Sequence, residues 1–150
     1  MELDAYLLKV KLPRDNQKYL RYLKEKLIPV CVENEVECVI EHLDGKIIIF
    51  STSQIIEYLK KLKNLRAIYR VEIFESYNAL LQAIKKVLNG KNSFAVISKS
   101  RTLAEMIGEE LVRELGIAVN LKNPEIRVEV EKKGKYYILY RENIYLKDEN

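Results

Sequence analysis

The stretch Ser98-Lys99-Ser100-Arg101-Thr102 combines residue types that bind anions. It follows an apolar run, "FAVI" at 94–97, and precedes a helical pattern. It therefore stands where a strand ends and a helix begins. The first turn of a helix leaves backbone N–H groups without partners and carries the positive end of the helix dipole. Such helix starts hold phosphate. Lys99 and Arg101 add charge, and Ser98 and Ser100 add hydroxyl donors. In open sheets, ligands collect outside strand C-termini. The plainer reading is a solvated loop with one cap.

Other candidates are weaker. Lys60, Lys61, Lys63 and Arg66 form a second basic group around the end of a helix. Cations there also complement the dipole, which explains them without a ligand. The chain has 10 tyrosines. Tyr136 and Tyr140 share one strand face with Ile138, and Tyr137 lies on the other with Leu139. Exposed tyrosines stack bases, but core and rim packing is the plainer reading of these.

Catalytic patterns are missing. There is no P-loop, no dinucleotide-binding glycine pattern and no H-E-x-x-H. The single histidine, His42, flanks a predicted turn, where a surface role is expected. Glu105, Glu109, Glu110 and Glu114 fall on the side of their helix away from its apolar residues, as a solvated face does. Cys31 and Cys38 with one histidine cannot close a four-ligand zinc site, so reduced thiols are expected. No catalytic residue, metal or cofactor is expected.

The 150 residues allow one domain or two very small ones. Hydrophobic residues are 48% and charged ones 32%, as in a chain with a proper core. Net charge is +4, which permits nucleic-acid binding without requiring it. No apolar run reaches the roughly 20 residues of a membrane span. The start lacks a basic-then-apolar leader, so a cytoplasmic location without membrane contact is expected.

The elements that must position these residues can be read in order. "AYLLKVKL" (5–12) is a strand ended by Pro13. A helix over Tyr19, Leu20, Leu23 and Leu27 has Asp15 or Asn16 as cap and Pro29 as its stop. "EVECVIEH" (35–42) and "KIIIFS" form a hairpin across Asp44-Gly45. Ser53 caps a second helix carrying Ile55, Ile56, Leu59 and Leu62. "LRAIYRVEIF" (65–74) is the fourth strand. This is β-α-β-β-α-β, a ferredoxin-like unit finished near residue 75.

A second unit follows. The 76–88 stretch is a helix ended by Asn89-Gly90. "FAVISKS" reads as a central strand covered on both faces. The next helix has Thr102 and Glu105 as a capping box. Its Gly108 lies on the apolar side, where close approach to the sheet is expected, and Gly116 ends it. "LKNP" then turns the chain, and "IRVEV" and "KYYILY" form a hairpin over the link 131–135. The fold class is α/β (α+β), a βαββαβ unit followed by an αβαββ unit.

The stretch "FAVISKSRTLAEMIGEELVRELGIAVNLKNPEIRVEVE" resembles the second half of a THUMP domain, the RNA-binding module of several tRNA-modifying enzymes. Phe94 to Val96, Lys99 and Arg101, Gly108 and the run Val119-Asn120-Leu121-Lys122-Asn123-Pro124-Glu125 carry the likeness. It covers about half the chain. Asn120 stands where the family commonly has Asp, and the basic strand end is sparser here.

The resemblance implies a ferredoxin-like domain at 1–75 and a THUMP domain at 76–147, with a family boundary near 50–60 as the alternative. It implies RNA contacts at Lys99, Arg101, Lys122 and Asn123, with Ser98 and Ser100 beside them and Pro124 shaping the turn. Most THUMP proteins add a catalytic domain, such as a methyltransferase, and this chain is too short for one. It looks most like catalytic-domain-free members. The expected function is a non-enzymatic tRNA-binding adaptor presenting tRNA to a separate cytidine acetyltransferase. The alternatives are the RNA-binding subunit of a split tRNA methyltransferase, or a ferredoxin-like ligand or dimerisation module without RNA.

Overall fold

The computed structural model describes residues 3–11 and 16–147. The chain folds as two compact units, Met1–Glu72 with Arg141–Asn150, and Ile73–Tyr140. The expected stop at Pro13 and cap at Asp15 lie outside the described residues, as does the side chain of Asn16.

The first unit runs β1 (Asp4–Val10), α1 (Asn16–Glu33), β2 (Cys38–Leu43), β3 (Lys46–Ser51), a 3-10 turn (Ser53–Ile55), α2 (Ile56–Leu59) and β4 (Leu65–Phe74, up to Glu72). Strand order is β2-β3-β1-β4, with β1 antiparallel to both neighbours. This is the split arrangement the sequence implied. Asp44 (φ 44°) and Gly45 (φ 85°) both take positive φ between the paired Leu43 and Lys46. That is the backbone a two-residue turn needs to match strand twist.

One sheet face packs under the helices. Tyr6 and Leu8, and Ile47 and Ile49, alternate along their strands and, with Leu65 and Ile68 of β4 across a register shift, meet Leu23 and Leu27 of α1 and Ile55 and Leu59. Tyr19 donates its hydroxyl to the Lys63 carbonyl at 2.7 Å, and the Lys63 N–H donates to the Tyr22 hydroxyl at 2.9 Å. These bonds fasten α1 to the turn before β4.

Two local expectations fail here. α1 passes through Pro29 to Glu33. An interior proline costs about 3 kcal/mol through its lost N–H and ring clash. The turn beyond it buries Cys31, and Asn34 donates its backbone N–H (3.1 Å) and side-chain Nδ2 (2.8 Å) to the Val30 carbonyl. The second helix is also shorter than expected. Its start is a 3-10 turn preceded by Thr52, with no side-chain cap bond, rather than a helix capped by Ser53.

Burial raises three proton affinities in this unit. The Tyr6 phenol is pushed up to about 12 by burial and by the Asp4 carboxylate. Burial pushes Tyr19 up to about 12 as well. The Cys38 thiol is pushed up to about 12 by burial and by its hydrogen bond with Cys31. Each group holds its proton more tightly folded than unfolded. Its stabilisation is therefore complete below the ordinary pKa and is lost as pH rises towards 12. The unfolding free energy should fall from pH about 9 upwards, by up to about 1.4 kcal/mol per pH unit for each titrating group, and the urea midpoint should fall with it. Tyr6→Phe should flatten the fall. A midpoint constant from pH about 9 to 11 would contradict this.

The second unit runs α3 (Tyr77–Leu88), β5 (Ser93–Ile97), α4 (Arg101–Leu115), β6 (Ala118–Val119), β7 (Ile126–Lys133) and the first half of β8 (Tyr136–Leu146). Strand order is β8-β7-β5-β6, with β6 and β7 parallel to β5 and β8 antiparallel to β7. Leu80, Leu81, Ile84 and Leu88 of α3 and Leu103, Ile107 and Leu111 of α4 pack with Phe94, Val128, Val130 and Leu139. The helical spacing in the sequence had marked these faces.

From Arg141 the chain belongs to the first unit. There the Lys147 N–H reaches the Arg66 carbonyl at 2.8 Å, and Ile144 and Tyr145 pack on the first core. The two-residue β6 was not expected, and the 131–135 link tightens to Gly134-Lys135 between the paired Lys133 and Tyr136.

Candidate nucleic-acid interface

β5 delivers Ser98 to Thr102 to the start of α4, as its apolar run implied. The cap differs from expectation. Ser100, not Thr102, is the N-cap, and its Oγ accepts the Leu103 N–H at 3.2 Å. The helix begins at Arg101, so Thr102 already lies inside it. Glu105 therefore sits one turn in and pairs with Arg101, Nε to Oε1 at 2.9 Å. Ser98 Oγ accepts the Ser100 N–H at 3.2 Å.

Both serine oxygens thus accept from the backbone, and each hydroxyl still carries a proton to donate outward. The Ala104 N–H goes to the Ser100 carbonyl. The N–H groups of Arg101 and Thr102 remain for an outside acceptor. Lys99 is exposed, and the Arg101 side chain is 92% exposed. A pair as open as Arg101–Glu105 is worth little, about 0–1 kcal/mol. Its guanidinium keeps its terminal nitrogens for another partner. The arrangement can bind phosphate by charge and by hydrogen bonds together.

The "LKNP" turn has a structural explanation that the sequence left open. Asn120 Oδ1 accepts the N–H groups of Lys122 (3.2 Å) and Asn123 (3.0 Å). Only an oxygen is required, so Asn serves here as Asp would. The Asn120 N–H bonds the Phe94 carbonyl at 2.9 Å. Glu125 closes the turn: its carboxylate accepts the Asn92 N–H at 2.7 Å, and its own N–H bonds Ser93 Oγ at 2.9 Å. Asn120 and Glu125 do the bracing. The Lys122 and Asn123 side chains are exposed and Pro124 is half-buried.

The two candidate groups do not form one cluster. Glu125 ties the turn to the N-terminal end of β5, whereas Lys99 follows its C-terminal end. The six steps from Ser93 to Lys99, five residues of them strand, span roughly 20 Å when extended. Between them lies a groove of about 360 Å³ whose lining includes Arg101, Gly108 and Leu121. Gly108 corrects another expectation. A Cβ built there meets nothing within 4 Å, so this glycine leaves space beside the groove rather than admitting a close backbone. β5 is likewise covered only in part: Phe94 and Ala95 are buried, Val96 is half-buried and Ile97 is exposed.

Several of the remaining candidates have local partners. Lys60 pairs with Glu57 at 3.1 Å and lies 5.8 Å from the Tyr145 ring centre, and Lys61 lies 5.9 Å from that of Tyr58. Tyr137 packs against Tyr77 at 6.0 Å, and the Tyr140 hydroxyl donates to Glu131 at 2.7 Å. Glu131, buried at 8% exposure and within 3.4 Å of Lys133, is a polar core residue that the sequence did not single out. The sequence placed it in the 131–135 link, outside both strands. His42 is exposed beside its turn, as expected. No group of three or more metal-ligating side chains occurs among the described residues.

No protein-family model matches the chain, and no curated protein matches it significantly. Solved structures do match. PH1313 from Pyrococcus horikoshii Ot3 superposes with a TM-score of 0.69 at 19% identity, over 94% of this chain and 55% of that one. A 4-thiouridine synthetase, crystallised as an RNA complex with bound ATP, superposes with a TM-score of 0.61 at 13% identity, over 97% of this chain and 42% of that one. The chain spans about half the length of these structures. The likeness shows a shared fold, the mixed α+β THUMP-like arrangement.

Proposed function

We propose that this protein binds tRNA and presents it to a separate modifying enzyme, with a cytidine acetyltransferase as the first partner to test. One observation carries the reading. The residues that resemble a THUMP domain lie on a fold shared across 97% of this chain with a protein crystallised on RNA. Lys99, Arg101 and the free N–H groups at the start of α4 contact phosphate, and Lys122 and Asn123 extend the contact along the turn. The protein acts without a cofactor, and no residue in this site does covalent chemistry. No helix among the described residues is long and apolar enough to cross a membrane. A cytoplasmic location is part of the proposal.

Binding of full-length tRNA against tRNA lacking its 3′ tail, at two salt concentrations, tests it. The expected result is micromolar or tighter affinity that weakens steeply with salt, and a clear loss when the tail is removed. Equal binding of both RNAs would reduce the site to a nonspecific basic surface and overturn the reading.

A further inference from the structure

The second unit carries further cations at the end where α4 begins. β7 runs parallel to β5, and Ile97, the last residue of β5, is in register with Glu129. β7 continues to Lys133, and Gly134-Lys135 turns the chain into β8. Lys132 lies three residues, roughly 10 Å, past the Ile97 register. The hairpin tip and the 98–101 stretch therefore leave the same end of neighbouring strands.

Lys132 shares its strand face with Val128 and Val130, which pack with α3 and α4. Its ammonium lies 5.4 Å from the ring centre of Tyr137, its partner across the hairpin. Tyr137 in turn packs on Tyr77, the first residue of α3. Lys135, in the turn, lies 5.3 Å from the ring centre of Tyr136. An ion pair would cancel these charges, whereas a ring steadies an ammonium and leaves its charge. Lys99, Lys132 and Lys135 are exposed and form no ion pair with any described residue. Nearby carboxylates are largely engaged: Glu105 pairs with Arg101, and Glu131 with Tyr140 and Lys133. Glu75 is exposed two residues before Tyr77, and Glu129 is exposed roughly 10 Å further back along β7.

The geometry points to the β7–β8 hairpin as a second phosphate-binding element, which grips the same RNA strand that meets the start of α4. It rests on the tRNA reading above and adds Lys132 and Lys135 to that contact. Charge selects a polyanion, because three lysines here keep their charge uncancelled. A phosphodiester strand carries one phosphate per nucleotide, so it can meet separate cations in succession. The succession starts at Lys99 and Arg101, beside N–H groups that suit phosphate oxygens. It continues onto the hairpin, where the two tyrosine rings hold the ammoniums in place.

The test measures tRNA binding by the full chain over a salt series. Lys132→Gln with Lys135→Gln should weaken binding about tenfold at about 100 mM salt. The slope of log affinity against log salt should flatten by nearly 2, at about 0.9 for each lost cation. Lys132→Arg with Lys135→Arg keeps both charges and should bind within about twofold of the parent. Lys24→Gln with Lys26→Gln removes the same charge from exposed positions on α1 and should also stay within about twofold. The urea midpoint of each variant checks that it is folded. Equal losses in the two glutamine pairs would overturn the inference, because net charge alone would explain them. Unchanged tRNA binding by the hairpin glutamine pair would overturn the inference and leave the tRNA reading standing. If that pair instead lost binding to a poly-glutamate peptide, the hairpin would belong to an acidic protein partner. A parent protein that binds no tRNA would overturn both.

Discussion

Replacing Lys99 and Arg101 together by glutamate should weaken tRNA binding ten- to hundredfold at about 100 mM salt, with the fold intact. Each cation that neutralises a phosphate contributes about 0.9 to the slope of log affinity against log salt, so the slope should flatten by nearly 2. The fold should tolerate the change because both side chains are open to solvent and only the weak Arg101–Glu105 pair is lost. A glutamate at 101 faces Glu105 one turn on, at a cost of a few tenths of a kcal/mol. It also stands in the first turn of α4, where the dipole favours an anion by a similar amount. Circular dichroism and urea midpoint should therefore match the parent protein. Filter binding over a salt series reads affinity and slope together. Unchanged affinity and slope would remove the start of α4 from the RNA contact. Loss confined to Lys60→Glu and Lys61→Glu would move the contact to the first unit.

The elements were legible where their periodicity was strong. The helical spacing of Leu80, Leu81, Ile84 and Leu88 corresponds to the buried side of α3, and the alternation of Cys38 and Ile40 to the half-buried side of β2, while Val36 falls before that strand. Local signals that compete with tertiary packing were less legible. Pro29 reads as a stop, but burial of Cys31 beyond it and the bonds to Val30 carry α1 onward. Thr102 and Glu105 match a capping pattern, and Ser100 fits another start two residues earlier. The structure chooses Ser100, whose Oγ meets the Leu103 N–H.

The candidate site divides in the same way. Residue types placed Lys99 and Arg101 at a helix start, and the structure puts them there. Spacing along the chain could not tell that the side chains of Asn120 and Glu125 brace the turn while Lys122 and Asn123 give it their backbone N–H groups. Those partners, Asn92, Ser93 and Phe94, lie about thirty residues upstream. The groove was hidden for a related reason. A glycine on an apolar helix side reads as close packing, and only the position of its neighbours shows that the space beside Gly108 is empty.

Phe94→Ala should cost about 3–5 kcal/mol, the largest single loss expected in the second unit. The ring is fully buried among residues of α3, α4 and β7, so its removal takes away contacts and leaves a cavity. It sits between two paired strands, in register with Val119 of β6 on one edge and Ile126 of β7 on the other, and its carbonyl accepts the Asn120 N–H. The surrounding strands therefore have little freedom to collapse into the void. Whole domains hold about 5–15 kcal/mol, so this is a large share of the total. Urea unfolding should show a clearly lower midpoint with an unchanged slope. Phe94→Leu, which keeps most of the volume, should cost much less. Since Phe94 supports the site without touching RNA, tRNA affinity measured well below the unfolding transition should stay within about twofold of the parent. It should then fail abruptly as the protein melts. A cost below about 1 kcal/mol would show that the strands do close over the cavity. An early, gradual loss of affinity in the folded protein would instead make the floor of the groove part of the RNA contact.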